Sequence, residues 1–223
     1  MIKLVAFDWN GTLLSDTQIT LKAENISLKA IGVKPISLKK FQKTFDIPVT
    51  RYWDNLGFSK SFVKTHIDAI ENTFHSQYKI LAARARTRSG VRETLEWLVA
   101  KNIARVIFSN HDIPDIKRHL ARLKIEKCIT DVLANPGDGR LQIFNRHKGQ
   151  KLENYRKQNN FKSKEILCVG DMCEEIEIGK EYGYHTVAIT GGFNSTARLK
   201  AAKSDFLIHN LKDLIGIIKK LNK

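Results

Sequence analysis

The stretch that most constrains the fold lies at the start of the chain, where Ile2, Leu4, Val5, Ala6 and Phe7 run into Asp8-Trp9-Asn10-Gly11-Thr12-Leu13. An apolar run that ends in Asp and then Asn-Gly predicts a buried parallel strand stopping in a tight turn. Asp8 then stands at the carboxyl end of a strand, the side on which open α/β sheets bind ligands. A carboxylate there has two readings. Either it caps a helix beginning near Asp16 or opens an Asx turn, or it is a nucleophile with Gly11 and Thr12 offering backbone N–H groups to an anion.

Composition narrows the class of molecule. The 223 residues are 42% hydrophobic and 27% charged, which suits a folded domain with one good core and room for a small second one. No stretch approaches the roughly 20 apolar residues of a membrane span, and Lys3 and Asp8 break the apolar start, so the expectation is a cytoplasmic protein without a signal peptide. Cys128, Cys168 and Cys173 fit no zinc spacing and leave one thiol over in any disulfide scheme, as a reducing compartment allows. The net charge of +15 would permit nucleic-acid, acidic-membrane or phosphometabolite binding. The lysines are scattered, as at Lys39, Lys101, Lys157 and Lys219, without a basic patch interleaved with aromatics. They read as solvated faces, so nucleic acid is not the expected partner.

Taken in order, Asp16 to Ile31 has helical spacing and ends at Gly32. Ser37 caps a short helix through Phe41 and Phe45, Pro48 starts another through Tyr52, Trp53 and Leu56, and Ser59 begins a long one reaching Tyr78. No strand is expected between 16 and 85. From Ser89-Gly90 onward helices and strands alternate, with strands expected at Ala104–Phe108, Ile129–Ala134, Glu165–Val169, His185–Ile189 and Asp205–Ile208. The turn-rich Asn135-Pro136-Gly137-Asp138-Gly139 follows the second of these. Such alternation predicts an α/β, Rossmann-like, mostly parallel sheet with helices on both faces, with a small all-helical domain inserted after the first strand. The core is assigned to 1–15 and 86–223, and the helical cap to 16–85.

Three further segments carry candidate chemistry. Ser109-Asn110 follows an expected strand, where a hydroxyl and backbone N–H groups suit a phosphate oxygen or simply make a turn. Lys148 opens a helix, where its ammonium would act as a point charge. Asp171 at a strand end and Glu175 four residues later put two hard oxygen donors on one side of a strand-to-helix turn, as Mg²⁺ requires; the helix dipole favours the same acids without any metal.

Asp8-Trp9-Asn10-Gly11-Thr12 resembles the first motif of the haloacid dehalogenase-like superfamily, Asp-x-Asp-Gly-Thr after a hydrophobic strand, from which Asn10 departs. Ser109-Asn110, Lys148 and Asp171 with Glu175 occur in the order of that superfamily's remaining motifs. The tail, Gly191-Gly192-Phe193-Asn194-Ser195 followed by Leu199, Ala201-Ala202 and Asp205-Phe206, is similar to the phosphoglycolate-phosphatase-like branch. The resemblance implies a Mg²⁺-dependent phosphatase acting on a small phosphorylated metabolite, as a monomer or homodimer. Asp8 would form an aspartyl-phosphate. Asp8, the backbone carbonyl of Asn10, Asp171 and Glu175 would hold the metal, while Ser109, Asn110, Lys148, Gly11 and Thr12 would bind the phosphoryl group. In the family an aspartate at position 10 is the acid and base, and an amide cannot carry that proton. Asn10 therefore leaves open a slow enzyme, a phosphate-binding protein without turnover, or a phosphonate-cleaving relative needing a cap lysine. Lys43, Arg51 and Tyr52, around the Thr44–Val49 turn, are cap candidates for contacting the organic half of the substrate, and each reads equally as surface.

Overall fold

The computed structural model describes residues 1–137 and 146–223; Asp138 and Gly139 of the turn-rich segment lie outside the described residues. Strand β1 (Leu4–Phe7) is buried along its whole length, as the opening apolar run requires. It pairs in parallel with β4 (Ala104–Asp112) on one side and β6 (Ile166–Gly170) on the other. β5 (Asp131–Asn135) extends the sheet beyond β4, and β7 (His185–Ile189) and β8 (Phe206–Ile208) extend it beyond β6. The order is β5-β4-β1-β6-β7-β8 and every pairing is parallel. The chain thus leaves β1 toward one edge and later returns to its other side, which makes the carboxyl end of β1 the topological switch point where open sheets bind ligands.

Alternation along β1 sorts its side chains between the two faces. Val5 and Phe7 join a core with Val91, Leu95 and Leu98 of α5 (Val91–Ala100), Ile116 and Leu120 of α6 (Ile113–Leu123), and Leu214 and Ile218 of α10 (Asp213–Leu221). Leu4 and Ala6 face Leu152 of α7 (Lys148–Gln158) and Ile178 of α8 (Cys173–Tyr182). Burying each large apolar side chain contributes about 1.5–3 kcal/mol, so a strand enclosed on both faces is fixed in register. A further helix, α9 (Thr196–Ala202), covers β7 through Leu199. Its cap is Ser195, which accepts the Arg198 N–H.

The inserted segment is helical as expected: α1 (Thr17–Ala30), α2 (Leu38–Thr44), α3 (Val49–Leu56) and α4 (Lys60–Ala82). Ser37 and Ser59 cap α2 and α4 by accepting the N–H groups of Lys40 and Phe62. The apolar interior of these helices, with Leu21, Phe41, Tyr52, Trp53 and Ile70, also takes in Met172 and Phe193 from the sheet domain. Polar ties reinforce that contact: Gln42 Nε2 donates to the Gly192 carbonyl at 2.7 Å, and Arg198 pairs with Asp46 at 3.2 Å.

Three local features differ from the sequence expectation. A two-stranded antiparallel ladder, β2 (Leu14–Ser15) with β3 (Arg86–Thr87), joins the entry and exit of the insertion; two-residue strands leave no periodicity to read. β4 continues past Phe108 through Ser109, Asn110 and His111, with its register against β5 shifting between Phe108 and Asp112. Such an irregularity re-aims side chains at a strand end. The last helix, which the spacing of Leu211, Leu214, Ile217 and Ile218 predicts to include Leu211, begins at Asp213, after the buried Leu211. No helix among the described residues is long and apolar enough to cross a membrane.

Candidate active site

Asp8 follows β1, Ser109 lies near the end of β4, Asp171 follows β6, and Lys148 is the first residue of α7. All four are almost completely enclosed. Asp8 does not cap the first helix: the residue before α1 is Asp16, and Asp8 instead accepts a bond from Lys148 Nζ at 3.0 Å. The same ammonium bonds Glu175 Oε1 and lies 3.2 Å from Glu174 Oε2. Asp171 accepts the Thr12 hydroxyl on Oδ1 and the Phe193 N–H on Oδ2, both at 2.6 Å.

Three carboxylates, Asp8, Glu174 and Glu175, are therefore gathered around one lysine in a region closed to solvent, with Asp171 close enough to Asp8 and Glu175 to act on both. Burial pushes the Asp8 carboxyl up to about 7, with Lys148 opposing and Asp171 adding to the rise. Burial, with Glu175 beside it, brings Asp171 to about 7 as well. Burial raises Glu175 to about 8 against the pull of Lys148. Burial pulls the Lys148 ammonium down, but Asp8, Glu174 and Glu175 outweigh it and push it well above its ordinary value. Clustered acids with raised carboxyls in an enclosed strand-end site are a feature of functional sites rather than of ordinary cores.

The backbone is shaped to let the acids in. Gly11 has φ of 72°, and a Cβ there would stand 2.4 Å from Asp171 Oδ2; one on Gly192 would stand 2.0 Å from the same atom. Arg88 stitches the first turn to the end of β7 by donating to the carbonyls of Gly11 and Thr190, each at 2.6 Å.

Several of the residues singled out by sequence have partners that redefine what they can do. The Gly11 N–H donates to Asp16 Oδ1 at 2.8 Å, which removes it from the expected anion-binding set. Thr12 commits its hydroxyl to Asp171, leaving only its backbone N–H for an anion. Ser109 Oγ accepts the His111 N–H at 3.1 Å and so still has its own proton to donate. Asn110 bonds Glu174 through Nδ2 at 2.9 Å. Both Glu175 oxygens are engaged, Oε1 by Lys148 and Oε2 by the Met172 N–H. Asn10 donates through Nδ2 to Asp16 Oδ2 at 2.6 Å and to the Tyr78 hydroxyl at 2.8 Å, while Tyr78 itself donates to Asp16 Oδ2 at 2.6 Å.

A cavity of about 90 Å³ opens from Asn10 into the helical insertion. Thr20, Glu24, Tyr52, Glu71, Tyr78 and His111 are among its polar walls, and Phe45, Trp53, Phe74 and Phe193 among its apolar ones. Of the three cap candidates only Tyr52 lines it. Lys43 is exposed, and Arg51 is a solvent-exposed side chain 3.9 Å from Asp46. His111, enclosed beside Tyr78, is held down to about 4 by burial and is neutral. Glu174, Asp16, Tyr78, Arg88 and His111 were not singled out from sequence. Asp16 was read as a helix start and Tyr78 as a point on an apolar stripe, because their joint contact with Asn10 spans 68 positions.

As for a metal, Asp8 and Asp171 would offer it hard carboxylate oxygens, and the Asn10 backbone carbonyl is the third expected donor. Among the described residues no group of three or more His, Cys, Asp or Glu side chains forms a metal-holding cluster. A two-carboxylate donor set suits Mg²⁺, which keeps several of its waters, better than a cation needing a full protein cage.

The model of the family described as haloacid dehalogenase-like hydrolase matches residues 5–189. A curated Vibrio parahaemolyticus protein named phosphoglycolate phosphatase is 25% identical over 97% of this chain and 96% of its own length. A Campylobacter jejuni phosphoserine phosphatase is 25% identical over 98% of this chain and 99% of its own. A solved haloacid dehalogenase-like family protein from Streptococcus pneumoniae superposes with a TM-score of 0.80 at 16% identity, covering 97% of this chain and 98% of that one. With the family match running from β1 to the end of β7 and enclosing the segments that carry Asp8, Ser109, Lys148 and Asp171, the chain belongs to the haloacid dehalogenase-like hydrolases.

Proposed function

We propose that the protein is a Mg²⁺-dependent phosphatase of small phosphorylated metabolites, with Asp8 as its nucleophile. The observation that carries this reading is the enclosed Asp8 carboxylate at the switch point, 3.0 Å from Lys148 Nζ and sharing its site with Asp171. The phosphatase names of the relatives support the same chemistry. An Asp8 oxygen attacks phosphorus, the aspartyl-phosphate bond forms, and the bond to the substrate alcohol breaks. Ser109 Oγ, the Thr12 N–H and Lys148 hold the phosphoryl oxygens, and Glu174 and Glu175 keep Lys148 aimed at Asp8. Asp8, Asp171 and the Asn10 carbonyl would hold Mg²⁺, which when bound offsets the repulsion between the carboxylate and the phosphoryl oxygens. Residues 16–85 act as the cap that excludes bulk water from the reacting atoms.

Asn10 sets the limits of the mechanism. Its amide is tied to Asp16 and Tyr78 and cannot protonate a departing alcohol or take a proton from the attacking water. Water then hydrolyses the aspartyl-phosphate without that help, which is worth about 10²- to 10⁴-fold in other enzymes. The same observation supports a second reading, a phosphate binder with little turnover. The phosphonate-cleaving alternative gains no support, since among the described residues no lysine lines the cavity. Hydrolysis of an activated aryl phosphate tests the proposal. Turnover that requires Mg²⁺ and is lost in Asp8→Asn supports it, and turnover surviving in Asp8→Asn refutes it.

A further inference from the structure

The cavity wall nearest α1 carries polar atoms whose bonding capacity the protein does not fill. Thr20 Oγ1 and Glu24 Oε1 are buried without a hydrogen-bond partner, the Tyr52 hydroxyl faces the Glu24 carboxylate as its one neighbouring acceptor, and all three residues line the one cavity. Thr20 and Glu24 are 4% and 6% exposed and Tyr52 is 1% exposed, so solvent at the surface does not satisfy them. Buried polar groups are paired in the great majority of cases, and a cluster of exceptions in one cavity asks for a ligand.

Their placement gives the ligand its direction. Asp16 precedes α1, and Thr20 and Glu24 follow it at four-residue steps on one face of the helix, so the stripe rises about 6 Å per step from Asp16, which bonds Asn10, into the cavity. The organic half of a phosphomonoester held at Asp8 would reach this stripe past Asn10, which lines the cavity.

The wall carries two carboxylates, Glu24 and Glu71, and two imidazoles, His75 and His111. Glu71 faces the same space and is partnered by His75 at 3.1 Å. Among the described residues no lysine or arginine lines the cavity, although the chain has 38 of them. Tyr52, Trp53 and Phe74 supply aromatic faces of the kind that attract cations. A carboxylate on the substrate would meet two glutamates and no guanidinium or lysine ammonium, whereas an ammonium group would satisfy the open acceptors.

We infer that the cavity selects phosphomonoesters of small amino alcohols, with Glu24 accepting the substrate ammonium and Thr20 and Tyr52 completing its shell. The inference rests on the phosphatase reading above and goes beyond it by naming the class of leaving alcohol. Charge supports it: burial pushes the Glu24 carboxyl up to about 7, and an ammonium beside it would draw it back to the ionised form.

The test is calorimetric binding to the Asp8→Asn protein with Mg²⁺, which cannot form the covalent intermediate, so the comparison needs no turnover. Three probes are titrated: 2-aminoethyl phosphate, ethyl phosphate and phosphoglycolate. The expected order puts the amine first, by about 10- to 100-fold over ethyl phosphate, the range of a charge-assisted hydrogen bond in a buried site, and phosphoglycolate last. Adding Glu24→Gln removes the advantage of the amine, and Thr20→Val, which keeps the shape of the wall, reduces it. Equal affinities, a preference for phosphoglycolate, or no binding of the amine would overturn the inference. Wild-type hydrolysis of an aryl phosphate, measured alongside, reports separately on the phosphatase reading.

Discussion

Replacing Glu24 by Gln provides a test of the cap cavity that needs no substrate. Glu24 is 6% exposed and burial moves its carboxyl from an ordinary 4.5 to about 7. A raised acid binds its proton more tightly when folded, so its contribution to stability is fully present below pH 4.5. That contribution is lost as pH rises to about 7, since the unfolded chain releases the proton first. At 1.36 kcal/mol for each pH unit, the loss is roughly 3 kcal/mol, most of it between pH 5 and pH 8. Glutamine keeps the shape and carries no charge to desolvate. Urea unfolding of both proteins at pH 5 and pH 8 isolates the effect, because all other titrating groups are common to the pair. Wild type should lose about 2–3 kcal/mol more than Glu24→Gln over that interval. Parallel pH dependences in the two proteins would show that Glu24 ionises without cost and that the burial argument is wrong.

Other consequences can be checked with similar means. Lys148→Met leaves Asp8, Glu174 and Glu175 enclosed without their shared cation, and thermal or urea unfolding should show a loss of about 3–5 kcal/mol, with Mg²⁺ restoring more stability than it adds to wild type. Gly192→Ala drives a methyl onto Asp171 Oδ2; it should destabilise by about 1–3 kcal/mol and weaken Mg²⁺ binding by calorimetry, and unchanged Mg²⁺ affinity would remove Asp171 from the metal site. Tyr78→Phe takes a donor from the buried Asp16 carboxylate and an acceptor from Asn10, and urea unfolding should report a cost of about 1–3 kcal/mol.

Much of the architecture was legible because the signals are local. The apolar approach to Asp8, Ser37 and Ser59 at helix starts, and the strand-to-helix turn at Asp171 each declare themselves within a few residues, and the structure puts a strand or helix at each. The pairing of β2 with β3 was not, since four residues separated by the whole insertion have no periodicity. Within the site, the strand-end acids and Lys148 could be lined up only through their resemblance to the superfamily's motifs, since a lone lysine among so many carries no signal of its own. Their working partners could not. Glu174 beside Lys148, Asp16 and Tyr78 around Asn10, and Arg88 across the Gly11 and Thr190 carbonyls meet only after the helices and strands have packed. The cavity was equally hidden: Thr20 and Glu24 look like ordinary polar positions on an amphipathic helix, and only the closure of α3 and α4 over them shows that they face an enclosed space. Lys43 and Arg51 were singled out because charge is conspicuous in a sequence, yet the fold turns both toward solvent.

The central claim is that Asp8 takes the phosphoryl group while Asn10 leaves its removal unassisted. Rapid acid quenching during hydrolysis of an aryl phosphate with Mg²⁺, followed by peptide mass analysis, measures this directly. The account predicts a phosphoryl group on the peptide carrying Asp8, accumulating in wild type, depleted in Asn10→Asp as turnover rises, and absent in Asp8→Asn. Turnover with no phosphorylated Asp8 peptide in either wild type or Asn10→Asp, or with the phosphoryl group on another residue, would contradict it.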